Sequence, residues 1–95
     1  MISKEQGKDL AGKVFVEHFG AEYVRANIKM LGTEIEYERK TMTVYFILYP
    51  VDLYSEYEPP YTFGYNPETA GKIIFAVRVN RKTSTTEILD VNTLD

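Results

Sequence analysis

The chain has no cysteine, no tryptophan and a single histidine in 95 residues. Without cysteine there is no disulfide scaffold, no thiol nucleophile and no Cys-type zinc site. With His18 alone, a metal would have only carboxylates as companions, and any Ser-His-Asp relay would have to run through His18. No apolar run approaches the roughly 18 residues of a membrane helix. The longest, residues 44–51, covers eight positions and is broken by tyrosines and Pro50. Basic residues are the minority charge, 11 against 14 acids, for a formal net charge of −3. Arg39-Lys40 and the group Arg78, Arg81 and Lys82 are too sparse to track a phosphate backbone on an acidic domain, which disfavours nucleic acid as a partner. There is no Gly-x-Gly-x-x-Gly turn, no P-loop and no nucleophile elbow. These absences remove most metal and triad chemistry and predict no cofactor and no metal, and they leave His18 open as a general base. Residues 1–6 lack an apolar signal-peptide core. The expected compartment is cytoplasmic if the chain is complete and extracytoplasmic if a leader was removed.

What is present describes an ordinary globular chain: 44% apolar and 26% charged residues, enough for one domain over 1–95. Aromatics are plentiful, with eight tyrosines and five phenylalanines. The phenylalanines suit a small core. The tyrosines exceed what such a core needs, and each buried one must find a partner for its hydroxyl.

Ser3 with Gln6 forms a capping-box pattern ahead of Gly7, Leu10, Ala11, Val14, Phe15 and His18, a stripe with helical period. Lys8, Asp9, Lys13 and Glu17 occupy the solvated face, and Gly20 stands where a helix-ending glycine belongs. The spacing predicts one helix over 3–19 burying Leu10, Val14 and Phe15. Gly7 fits a close helix–sheet approach, whereas Gly12, on the outer side, has no evident reason to be glycine. Residues 21–25 read as a short helix or turn, with extended chain after it. Thr33 to Glu38 alternates strictly, placing Ile35 and Tyr37 on one face and Glu34, Glu36 and Glu38 on the other. Met42 to Tyr49 is a second strand with Met42, Val44, Phe46 and Leu48 inward. Lys72 to Asn80 is a third, with Ile73, Phe75, Val77 and Val79 inward, and Glu87 to Val91 closes the sheet. Tyr45, Ile47 and Tyr49 form an outer strip too apolar for open water, which predicts a cover from the 50–71 segment or another chain. The fold class is therefore α+β, an N-terminal helix on a curved antiparallel sheet of about four strands.

All four prolines lie in the irregular segment 50–71, together with four acids, five aromatics and no base. A connection this long is functional or disordered more often than not, and its aromatics argue for packing. The candidate partner-binding residues are Asp52, Tyr54, Glu56, Tyr57, Glu58, Tyr61, Phe63, Tyr65 and Glu68. Tyrosines supply rigid contact area, and the carboxylates match a protein partner with a basic surface. The competing reading is that these tyrosines merely pack the loop onto the sheet. Glu34, Glu36 and Glu38 form a basic-partner patch or simply a solvated strand face. His18 is a pocket residue or an imidazole at the mouth of the core.

The run Ile73-Ile74-Phe75-Ala76-Val77-Arg78-Val79-Asn80-Arg81-Lys82-Thr83, followed by Glu87-Ile88-Leu89, resembles the closing hairpin of PepSY-like domains. Ile2-Ser3-Lys4-Glu5-Gln6 resembles the helix start of those domains and of cystatin-like, nuclear-transport-factor-like immunity proteins. Asn80 stands where Asp is expected, Ser84 where Gly is expected, and the 50–71 loop is extra. The resemblance implies a cystatin-like fold and an inhibitory, immunity or regulatory role without catalysis. The expected function is thus occlusion of a basic protein surface. The alternatives are a small-ligand pocket between helix and sheet, or a structural module that homodimerises through the outer sheet face.

Overall fold

The computed structural model describes residues 1–49 and 71–93. Two helices, α1 (Lys4–Phe19) and α2 (Ala21–Asn27), precede strands β1 (Leu31–Tyr37), β2 (Thr41–Leu48), β3 (Lys72–Asn80) and β4 (Thr86–Leu89). A single 3₁₀ turn, Val91–Thr93, follows. The strands form one antiparallel sheet in the order β1-β2-β3-β4, and α1 packs on one face of it, giving the expected α+β architecture.

The capping box starts α1 as its residues require. The Gln6 amide donates to the Ser3 hydroxyl at 3.1 Å, and the Ser3 amide donates to the Gln6 side chain at 2.9 Å. At the other end Gly20 takes φ +89°, where a side chain would be strained, and its N–H still donates to the Val16 carbonyl at 2.7 Å. α2 starts directly after this break and runs two residues further than its sequence indicates. Asn27 extends it by donating its side-chain amide back to the Tyr23 carbonyl at 2.9 Å. Extended chain begins at Leu31, once Tyr49 N–H has joined the Met30 carbonyl at 2.9 Å to close the end of the β1–β2 ladder.

The core lies between α1 and the middle of the sheet: Ala11 and Phe15 against Met42, Val44, Phe46, Phe75, Val77 and Val79. The helix is turned slightly from the expected face, so that Gly7, Ala11 and Phe15 are buried while Leu10 and Val14 flank them, half-buried. Gly7 has the role its position implies, because a Cβ there would overlap the Met42 sulfur. Helix and sheet touch at that point. The aromatic end of the core is a continuous stack. The Phe15 ring lies on Phe46 at 4.4 Å, Phe19 at 4.8 Å and Phe75 at 5.7 Å, and Tyr23 stacks on Phe19 at 4.8 Å.

One inward assignment changes. The β2–β3 register shifts between Phe46, opposite Phe75, and Ile47, opposite Ile73. The extra residue is Ile74, a β-bulge that keeps Ile74 on the core side and turns Ile73 to the outer face beside Ile47. On that outer face Ile47 and Ala76 are buried and Tyr45 and Tyr49 half-buried. The cover expected from 50–71 falls almost wholly on residues outside those described. The closing strand is shorter than expected and ends at Leu89, after which Asp90 caps the 3₁₀ turn by accepting from the Asn92 N–H at 3.0 Å.

Arg81 ties three segments together at the far end of the sheet. Its Nη1 donates to the carbonyls of Glu38 (2.9 Å) and Arg39 (2.8 Å), and its Nε to that of Ile2 (3.3 Å). The guanidinium carbon lies 4.2 Å from the centre of the Tyr37 ring. Beside it, Asn80 accepts from the N–H groups of Lys82 (2.9 Å) and Thr83 (3.1 Å), and Ser84 takes φ +62° where a glycine is the usual choice.

Candidate binding groove

Because α1 sits over β2, β3 and β4, a groove lies between it and β1 on the same sheet face among the described residues. The opening is a groove of about 700 Å³ lined on the helix side by Lys8, Asp9, Gly12, Lys13, Val16 and Glu17 and on the sheet side by Thr33 and Phe46. Lys8, Gly12 and Val16 recur every fourth residue and so form one row along the helix. A second recess of about 290 Å³ shares this lining and runs under α2, adding Phe15, Val24, Ile28, Leu31 and Gly32.

Gly12 adds no side chain to the groove, and a Cβ built on it would meet nothing within 4 Å, so the space beside it is open. Glycine inside a helix costs about 1 kcal/mol against alanine, a cost with no local compensation here. Two apolar side chains remain unusually exposed on the rim, Val16 at 40% and Ile28 at 59%. Alongside, on the other face of β1, Glu34 and Glu36 project outward next to Tyr45. The Tyr45 hydroxyl donates to Glu36 at 3.1 Å. Desolvation, then this bond to a carboxylate, holds the phenol above its usual pKa of 10.

None of the sequence-derived candidates among the described residues, His18, Glu34, Glu36 and Glu38, lines this groove. Two residues beyond Val16, His18 points some 160° around the helix from it, and its exposed ring packs on Phe75 at 4.8 Å and Phe19 at 4.9 Å. Asp52, Tyr54, Glu56, Tyr57, Glu58, Tyr61, Phe63, Tyr65 and Glu68 lie outside the described residues. Among the described residues no group of three or more His, Cys, Asp or Glu is placed to hold a metal ion, and no helix is long and apolar enough to cross a membrane. The groove itself was detectable in the sequence only as two anomalies, the outward Gly12 and an apolar Val16 on an otherwise charged helix face. The chain matches no protein-family model, no curated protein and no solved structure.

Proposed function

We propose that the chain is a non-enzymatic binding module that captures an apolar segment of a protein partner in the cleft between α1 and β1. The observation that carries this reading is the recess between α1, α2 and β1, where Phe15, Val16, Val24, Ile28, Leu31 and Phe46 present apolar surface and Gly12 adds no side chain. The recess under α2 has an aromatic and aliphatic lining and opens beside the charged residues Lys8, Asp9, Lys13 and Glu17, the usual composition of a recognition cleft. The cleft adjoins β1, an edge strand among the described residues, an arrangement that recurs where domains grip extended peptides. Such a role agrees with the inhibitory or regulatory class implied by the PepSY-like and cystatin-like resemblance. A second reading, a small apolar ligand, draws on the recess under α2, whose volume of about 290 Å³ is near the lower bound for small-molecule sites.

The test is selection of a displayed peptide library on the full chain, with counter-measurement on Gly12→Leu. Enriched peptides should share apolar anchors and lose at least tenfold in affinity on Gly12→Leu, while its melting temperature does not fall. No enrichment above background, or equal binding to both proteins, would exclude the cleft as a peptide site.

A further inference from the structure

We infer that the segment received by this cleft is an extended strand of alternating apolar and basic residues, added to the edge of β1 that pairs with no strand among the described residues. This rests on the docking role proposed for the cleft and specifies its occupant. The register supplies the argument. Glu38 N–H donates to the Thr41 carbonyl and Tyr49 N–H to the Met30 carbonyl, both at 2.9 Å, at the two ends of the β1–β2 ladder. In an antiparallel pair hydrogen-bonded positions alternate, so Met30, Gly32, Glu34, Glu36 and Glu38 turn their main-chain groups toward β2. Leu31, Thr33, Ile35 and Tyr37 turn theirs to the opposite edge, where no strand pairs among the described residues.

Those same odd positions carry the side chains on the α1 face. Leu31 and Thr33 line the cleft and Ile35 packs against the core. A strand bonded to the main chain of Leu31, Thr33 and Ile35 sets its opposing side chains on that face, at the mouth of the cleft, where apolar groups are favoured. Its intervening side chains emerge on the other face beside Glu34 and Glu36, two carboxylates about 6.8 Å apart along the strand. Lysine or arginine complements them there, and an acidic residue opposes them. The glutamates also bear on self-association. A second copy paired edge to edge would set like charges across the new ladder, which selects a basic partner over this chain itself.

The experiment uses the ¹⁵N-labelled full chain and three eight-residue peptides: alternating Val and Lys, the same composition in two blocks, and alternating Val and Glu. The alternating Lys peptide should bind at least tenfold more tightly than either control and slow amide exchange at Thr33 and Ile35. Replacing both glutamates (Glu34→Lys with Glu36→Lys) should reverse the preference toward the Glu peptide. If Val16 and Ile28 signals move but Thr33 and Ile35 amides gain no protection, or if Lys and Glu peptides bind alike, the strand assignment is wrong while the cleft stands. If none of the three moves Val16 or Ile28, the inference is overturned, and the library selection on Gly12→Leu decides separately whether the cleft reading falls with it.

Discussion

Truncating Phe15 is the sharpest probe of how this small fold is held. The side chain is 3% exposed and touches three other rings, stacked flat on Phe46 at 4.4 Å and angled on Phe19 and Phe75. Removing a buried phenylalanine ring loses its transfer free energy and leaves a cavity, together about 3–5 kcal/mol. The three ring contacts place Phe15→Ala in the upper half of that range, since aromatic pairs add about 0.5–1.5 kcal/mol each beyond area. A domain of this length holds roughly 5–14 kcal/mol in total, so the variant should melt some 15–30 °C lower. With no tryptophan, far-UV circular dichroism in urea is the suitable readout, and the midpoint should fall with the slope unchanged. Lys13→Ala, on the solvated side of the same helix, should stay within about 0.5 kcal/mol. Equal losses for the two variants would refute the rotation of α1 on which the core and the cleft both depend.

Arg81→Ala should cost about 1.5–3 kcal/mol in the same assay, because three carbonyls and the Tyr37 ring face lose a charged partner, and Arg81→Lys should recover only part of it. Ser84→Gly should stabilise the chain by about 0.5–1 kcal/mol by relieving the left-handed backbone at φ +62°. Tyr45 gives a pH dependence. Its folded pKa lies above the unfolded value of about 10, so its contribution is complete below pH 10 and is lost as pH rises through the folded pKa. A ¹³Cζ-tyrosine titration should place the Tyr45 phenol above 10, and Glu36→Gln should bring it down, since the neutral amide no longer opposes the phenolate.

Local chemistry made much of the fold readable in advance. Ser3 and Gln6 announce the helix start, Gly20 its end, and the alternation of 72–80 a strand whose bounds match the structure. The single register error came from Ile73-Ile74, where two adjacent isoleucines fit either face equally well and the bulge is decided by pairing with Ile47 across the sheet. Asn27 prolongs α2 through a side-chain bond that periodicity does not encode. The cleft was hidden for a different reason. It is an absence, created by where α1 sits on the sheet, and only Gly12 and Val16 hinted at it.

The central claim, that the cleft between α1 and β1 is where this protein binds, is tested most directly by mapping methyl chemical shifts as a library-selected peptide is titrated into the full chain. The largest shifts should fall on Val16, Val24, Ile28 and Leu31, with Val77 and Val79 at the far side of the core unmoved. Shifts centred instead on Ile47 of the outer sheet face, or on residues 50–70, with the cleft methyls unchanged, would contradict it.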